Sequence, residues 1–453
     1  MGDATLDTLT KGLARAMSRA GLSPVSDLTR LTGGATMESW HFTCGEEAFV
    51  LRRAPSLKFM QDRPFGHDVE AAIIRAAHAK GVTAPEVIVE LLPEDGIGSG
   101  FVMRALPGTP NPKLILEMEE PDRLLSECAA NLARIHSLGR EDVPAAVPVM
   151  DYRAAIADLK AQFEDAGGDR PIIALGLKWM EDNCPEPVEP VLIHGDYRMG
   201  NILVDDGWLT GVLDWELAHF GDYHEDLAFG CMAVWRFHRY DRSALGLSDL
   251  ETYFDAYEAN GGRKVDRARF RYWLIHRTVW WALGCLRMAQ IWRSGEDRML
   301  ERVVISRRTS EQELDLLMLL EEDAPEEERA RPFDPQFVFD EEPGEASGDE
   351  IALAISEWLT TIKDKLEGHD RFQLAVARNA LGILQREGKS LPDIMDRRRC
   401  DAIFAGEENL ATPELLRRLR QMAFDKLTVD VPRYPALKAA TANWPMRHFN
   451  SEE

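Results

Sequence analysis

The residues best suited to chemistry lie in one short stretch, VLIHGDYRMGNILVDDGWLTGVLDW, at 191–215. Asp196 is followed five residues later by Asn201, and Asp214 comes thirteen residues after that. Asn201 and Asp214 offer a carboxamide oxygen and a carboxylate, hard ligands that suit Mg²⁺ when phosphate oxygens complete its shell. Asp196 is then left to accept or orient the proton of a substrate hydroxyl. One acid and one divalent metal are the minimum for phosphoryl transfer, where positioning and charge neutralisation supply most of the rate. Lone aspartates are usually caps or turn formers, but three polar residues in this order between apolar flanks argue for a site.

For Asp196 and Asn201 to converge, the residues between them must form a tight loop held by small strands. If Leu209–Leu213 returns alongside Ile202–Val204, Asp214 comes back to Asn201. Upstream, residues 25–105 carry strand-like runs (TMESWHFTC, EAFVLRR, APEVIVELL, SGFVMRAL) interrupted by the helical HDVEAAIIRAAHAKG. The N-terminus reads as an amphipathic helix with Leu6, Leu9, Leu13 and Met17 on one face. Residues 106–320 are mostly helical, with a stripe at Leu125, Cys128, Leu132 and Ile135. Residues 321–347 are acidic and proline-containing and read as a linker. Beyond them, Ile351, Ile355, Trp358, Ile362 and Leu366 repeat at helical spacing, as do Leu416, Leu419, Ala423 and Leu427.

The Asp196/Asn201/Asp214 spacing is that of the protein-kinase catalytic loop and its metal-binding aspartate. HGD in place of HRD, DWE in place of DFG, and GDYHEDLA at 221–228 make the chain resemble the aminoglycoside phosphotransferase and choline kinase branch, with Tyr223 where proline is common. The resemblance implies an α+β, protein-kinase-like bilobal fold. A sheet-rich N-lobe with an N-terminal helix would span 1–105, and a helical C-lobe with the catalytic loop 106–320. The acidic linker would occupy 321–347, and a small all-α domain 348–453. It implies ATP and Mg²⁺ as cofactors, with Asn201 and Asp214 on the metal and Asp196 as the catalytic acid–base group. Arg198 would reach a phosphate or pair with an acid. Gly33 and Gly34, in LTGGATMESWHF, would let backbone amides approach phosphates, although a two-glycine hairpin is common and the full GxGxxG is missing. Arg52 in AFVLRR stands where the kinase strand lysine belongs, and Glu70 would pair with it. Alternation allows only one of Arg52 and Arg53 to face inward, and the expectation takes Arg52. Backbone atoms near Met103 and Ala105 would meet the adenine. Asp222 and Asp226 would tie the loop to the following helix, and His136 and His194 would brace structure.

A narrower resemblance concerns the acceptor. GDYHEDLAFGCMAVWRF, YWLIHRTVWWALGCLRMA and RRTSEQELDLL are similar to the kinases associated with acyl-CoA dehydrogenases, which phosphorylate hydroxyacyl-CoA thioesters, typically at the 4-hydroxy group. The tail, with LEGHDRFQLAVARNALGILQRE, resembles a helical domain that accompanies some of them. This implies a small-molecule hydroxyl acceptor, foremost a CoA thioester. The alternatives are an amino-alcohol acceptor, such as an aminoglycoside or choline, and lastly a pseudokinase scaffold. The tail's Arg397, Arg398, Arg399, Arg417, Arg418 and Arg420 would contact coenzyme A or serve structure. Trp235/Phe237 and Trp280/Trp281 would line an acyl pocket or fill the core.

Composition bounds these readings. The 453 residues exceed one ordinary core, and 45% apolar with 29% charged residues describe a globular protein. The net charge of −24 argues against nucleic acid and anionic membranes as partners. Acids outnumber bases 49 to 35 over 1–320 and 11 to 2 over 321–347, whereas 348–453 is nearly neutral. No apolar run is long enough for a membrane span, and the N-terminus lacks the pattern of a secretory signal. Six scattered cysteines without a CxxC pair point to reduced thiols in a cytoplasm. A homodimer is the expected assembly if the tail serves association.

Overall fold

The computed structural model describes residues 3–31, 37–55, 63–297, 299–333, 348–387 and 395–445. The chain forms two compact units, 1–150 with 186–270, and 151–185 with 271–453.

The first unit opens with the helix Asp3–Arg19 and a five-stranded antiparallel sheet. Its strands are β1 (Val25–Arg30), β2 (Glu38–Cys44), β3 (Glu47–Ala54), β4 (Val87–Glu90) and β5 (Ser99–Arg104), in the order β1-β2-β3-β5-β4. Trp40, Phe42, Cys44, Phe49 and Leu51 alternate onto one face, where Leu9, Leu13 and Met17 of the helix cover them with Ile97 and Val102. Leu6 lies outside this core, largely exposed. Gly45, with φ +62, opens the two-residue turn between β2 and β3, a conformation that favours glycine. The strand β1 was not foreseen, because VSDLTR has no apolar alternation and only two of its six residues are even half-buried.

Alternation in β3 separates the two arginines. Arg53 shares the covered face with Phe49 and Leu51; it donates to Glu38 Oε2 through Nε (2.9 Å) and Nη2 (2.7 Å), and to the Ile97 carbonyl (2.9 Å). Arg52 points to the other face, towards Glu70 of the helix His67–Ala79 and towards Asp214.

The same unit contains two small antiparallel pairs, β6 (Val191–Ile193) with β9 (His219–Gly221), and β7 (Ile202–Asp205) with β8 (Trp208–Val212). The helix Pro121–Ile135 buries Leu125, Cys128, Leu132 and Ile135 completely. The sheet-rich beginning followed by helices around the 194–201 loop is the expected kinase-like α+β architecture.

The second unit is helical. It includes the helices Tyr152–Asp165, Pro171–Asp182, Thr309–Leu320, Gly348–Thr361, Gly368–Glu387, Arg397–Phe404 and Leu415–Asp430. Leu416, Leu419 and Leu427 are fully buried, Phe163 meets Phe404 edge-on, and Tyr434 donates to Asp315. The acidic stretch contributes here: Glu326–Arg329 is a helical turn, and Phe333 is buried against Phe424 and Trp444. Residues 334–347 lie outside the described residues.

Candidate active site

The loop between β6 and β7 carries HGDYRMGN. Its entry is held by Asp226, fully buried on the helix Tyr223–Phe229. The amides of His194 and Gly195 donate to the two Asp226 oxygens at 2.6 and 2.8 Å, and His136 Nε2 lies 3.2 Å from Oδ2. Burial alone would raise the Asp226 carboxyl, but His136, His194 and these amides hold it below the ordinary carboxylate range. His136 is a structural link, its Nδ1 2.7 Å from the Tyr257 hydroxyl. His194 Nδ1 accepts from the Asp196 amide at 3.2 Å, so Nε2 carries the proton donated to the Leu213 carbonyl at 3.0 Å. Burial lowers the pKa of His194 and keeps it neutral. Gly195 has φ +83, and a Cβ there would meet the Leu217 carbonyl oxygen at 2.4 Å.

This bracing presents Asp196 at the loop's tip. Its Oδ2 accepts from Asn201 Nδ2 at 2.6 Å and its Oδ1 from Arg198 Nε at 2.7 Å. The Arg198 guanidinium also lies 4.2 Å from the centroid of the Trp235 ring. Burial pushes the Asp196 carboxyl up to about 6; Arg198 offsets part of this, and neighbouring Asp214 adds to it. Asn201 Nδ2 also donates to the Asp196 carbonyl at 3.0 Å, leaving its side-chain oxygen without a hydrogen bond among the described residues.

Strand pairing brings in the third residue. Ile202 of β7 faces Val212 of β8, and the Leu213 amide donates to the Asn201 carbonyl at 2.8 Å. Asp214 follows directly, with φ +67 and a side chain 31% exposed. The expected return of this strand to Asn201 is thus what the chain does. Asn201 and Asp214 together supply one amide and one carboxylate, an incomplete shell of the kind Mg²⁺ takes when phosphates and water add the rest. No cluster of three His, Cys, Asp or Glu side chains fit for a metal occurs among the described residues.

Arg52 reaches this point from the sheet. Its Nη2 lies 2.6 Å from both Asp214 Oδ1 and Glu216 Oε2, and its Nε lies 3.1 Å from Glu70 Oε1. Glu216 also meets Arg63 at 2.8 Å. Burial raises the Glu70 carboxyl to about 7, with Arg52 opposing and Asp214 and Glu216 reinforcing the rise. Burial pulls Asp214 the same way, but Arg52, His194 and Arg198 prevail and hold it low. Sequence reasoning did not single out Glu216 or Arg63. Glu216 stands in the DWE triplet itself, whereas Arg63 has no local pattern that marks it.

Met103 pairs across β5 with Val50 and Val87. The Ala105 amide donates to the Ala48 carbonyl at 2.9 Å, so of its backbone groups only the carbonyl is left for an adenine. Gly33 and Gly34 lie outside the described residues. Several tail arginines are committed within their own unit. Arg420 is buried on Glu321 and the Arg329 carbonyl, Arg397 pairs with Glu164, Arg399 with Asp396 and Glu408, and Arg417 with Glu414. Trp280 and Trp281 stack on each other at 6.2 Å. No described helix is long and apolar enough to cross a membrane.

The profile of the phosphotransferase enzyme family (APH) matches residues 27–273, more than half of the chain. The chain is 26% identical over 287 residues to acyl-CoA dehydrogenase family member 10 of Mus musculus, covering 56% of this chain and 26% of that protein. It is 26% identical over 244 residues to family member 11 of Gallus gallus, covering 49% and 30%. It is also 26% identical over 221 residues to hygromycin-B 4-O-kinase of Escherichia coli, covering 45% and 61%. The match therefore spans 26–61% of the length of these relatives. Among solved structures, a Ralstonia eutropha protein described as an aminoglycoside phosphotransferase superposes with a TM-score of 0.54 at 18% identity, over 68% of this chain and 97% of that one. At that identity the likeness speaks for the fold.

Proposed function

This chain belongs to the phosphotransferase enzyme family (APH), and from that premise we propose that it transfers the terminal phosphoryl group of ATP, with Mg²⁺, to a hydroxyl of a small molecule, foremost a 4-hydroxyacyl-CoA. The observation that carries this reading is the convergence of Asp196, Asn201, Asp214 and Arg52. In it, the Asn201 side-chain oxygen and the Asp214 carboxylate would hold the metal, which would supply neutralisation of phosphate charge. Arg52 turns from Asp214 to phosphate oxygens and offers two donors, while Glu70 keeps its stem in place. Asp196 takes the acceptor's hydroxyl proton as the new O–P bond forms. A carboxyl raised to about 6 is ionised at neutral pH and more basic than an exposed one. Arg198 holds that carboxylate in position.

The acyl-CoA part rests on similarity to proteins named as acyl-CoA dehydrogenase family members. The similarity to hygromycin-B 4-O-kinase supports an amino-sugar acceptor as the second reading. A pseudokinase ranks last, because Asp196, Asn201 and Asp214 are all present. A cytoplasmic setting with reduced thiols belongs to the same proposal, supported by six free cysteines. So does a homodimer, supported by Ile351, Ile355 and Trp358, which share one exposed face of the helix Gly348–Thr361; light scattering would measure the mass.

The test is ADP release with product mass on 3-, 4- and 5-hydroxyacyl-CoA, their free acids, choline and hygromycin B. One added phosphoryl group on a hydroxyacyl-CoA alone supports the first reading. The same gain on an amine alone overturns it in favour of the second.

A further inference from the structure

Glu216 holds two arginines at one atom. Arg52 Nη2 lies 2.6 Å and Arg63 Nη2 2.8 Å from the same oxygen, Oε2. Arg52 Nη2 is also 2.6 Å from Asp214 Oδ1, on the carboxylate read above as a metal ligand. Two guanidinium groups thus stand against two carboxylates. The arginine side chains are largely withdrawn from water, 12% and 15% exposed, whereas those of Asp214 and Glu216 are 31% and 28% exposed. Behind them Glu70 fixes the stem of Arg52, 3.1 Å from Nε. His67 lies on the same face, its ring centroid 6.1 Å from that of Phe101, which pairs with Arg52 across β3 and β5. Burial, with Arg52 and Arg63 acting in the same sense, lowers His67 to about 4, so both guanidinium groups are felt beyond the carboxylates that pair them. His67 Nε2 is buried and makes no hydrogen bond among the described residues.

Asp214 can serve a metal through Oδ1 only if Arg52 leaves it, and a dication on the other oxygen would repel the same guanidinium group. Arg52 is displaced either way. A largely desolvated guanidinium group without an anion is strongly unfavourable, and Glu216 already serves Arg63. A further anion has to arrive with the metal.

We propose that Arg63 is a second phosphate-binding cation beside Arg52, and that Glu216 is the latch that holds both until a nucleotide arrives. The two arginines turn together from the carboxylates to phosphate oxygens, to which each offers a planar fork of donors. Metal and nucleotide then bind as one unit, because each releases the partners that the other needs. The inference rests on the reading of Asp214 and Arg52 as the metal and phosphate side of the site.

The experiment is calorimetric titration of the full chain with AMP-PNP and with adenosine, each in EDTA and in Mg²⁺, on wild type, Arg63→Gln and Glu216→Gln. Arg63→Gln should weaken AMP-PNP by about tenfold or more and leave adenosine, which has no phosphate, within about twofold. Glu216→Gln should act in the opposite sense in EDTA, tightening AMP-PNP by about threefold or more, because phosphate no longer competes with that carboxylate for the arginines. Equal losses for AMP-PNP and adenosine in Arg63→Gln make Arg63 a structural residue and overturn the proposal. Weaker AMP-PNP binding by Glu216→Gln in EDTA overturns it too. An unchanged EDTA titration with a loss only in Mg²⁺ assigns Glu216 to the metal and overturns the latch. If Arg63→Gln does not fold, Arg63→Lys, which keeps the charge but not the fork, takes its place with a smaller selective loss expected. The proposal and the reading beneath it fail separately. AMP-PNP binding that needs Asp214 but is indifferent to Arg63→Gln removes the second cation and keeps the site. A selective loss in Arg63→Gln, with Mg²⁺ dependence intact in Asp214→Ala, keeps the second cation and moves the metal.

Discussion

Replacing Asp226 by asparagine should release the 194–201 loop without changing the side chains of Asp196, Asn201 and Asp214. Its two oxygens accept the amides of His194 and Gly195, and no other acceptor among the described residues pairs those amides. Hydrogen bonds to a charged acceptor contribute about 1.5–3 kcal/mol each, and a buried donor left unpaired costs about 1–3 kcal/mol. Asparagine keeps one oxygen and turns an NH₂ group towards the other amide. One neutral bond then replaces two charged ones, and a buried donor faces a donor, for a net loss of about 3–4 kcal/mol. Opening of residues 194–196 should accelerate by about two to three powers of ten. Hydrogen exchange followed by mass spectrometry on a peptide covering 191–201 reads this directly, with the β2–β3 hairpin as the unchanged control. Because Asp226 is held below its ordinary range, its contribution is complete above the unfolded pKa of about 3.9 and fades only as pH falls through the lower folded value. The difference between variant and wild type should therefore be the same at pH 6 and pH 8. Unchanged protection of the loop in Asp226→Asn would refute the bracing.

Asp196→Asn should lose most turnover while keeping Mg-ATP binding, and near wild-type turnover would sink its assignment as the base. Asp214→Ala should abolish metal-dependent nucleotide binding in calorimetry; affinity that still responds to Mg²⁺ would place the metal elsewhere. Gly195→Ala must accommodate φ +83 and a 2.4 Å approach to the Leu217 carbonyl, so a fall in turnover of at least tenfold is expected, and an unperturbed enzyme contradicts the geometry. Burial raises the Asp425 carboxyl to about 6, against the Gln421 side chain that bonds it. The folded state then binds its proton more tightly than the unfolded state, and stability falls as pH rises from about 4 through 6. Asp425→Asn should raise the melting temperature by about 2–4 °C at pH 8 and leave it unchanged at pH 4, and a shift of equal size at both pH values refutes this.

The loop was legible because its geometry is local. Five residues separate Asp196 from Asn201, and a strand leaving and returning through 202–212 delivers Asp214 to the same end, whatever the rest of the chain does. The helical stripe at Leu125–Ile135 and the apolar face of the N-terminal helix were readable for the same reason, since period and burial coincide within one element. Alternation also showed that Arg52 and Arg53 must part. It could not show which faces inward, since that depends on the helix Asp3–Arg19 covering one face of the sheet.

Other features arise only where distant segments meet. Arg52 collects Glu70 from one part of the chain and Asp214 with Glu216 from another, and Arg63 joins them without any local pattern to announce it. Trp235 was a candidate for core or pocket until its ring was found beneath Arg198. The tail stripe at Leu416, Leu419, Ala423 and Leu427 declared a buried face, whereas the stripe at Ile351, Ile355 and Trp358 is exposed; neither announced that the tail packs on helices from 151–185 and 309–320 rather than on itself alone. By itself the sequence determined the order and spacing of Asp196, Asn201 and Asp214, because covalent distance and element period are written along the chain. Only the tertiary structure decided which charges share a carboxylate and which faces share a core, because those are contacts between residues that the chain keeps far apart.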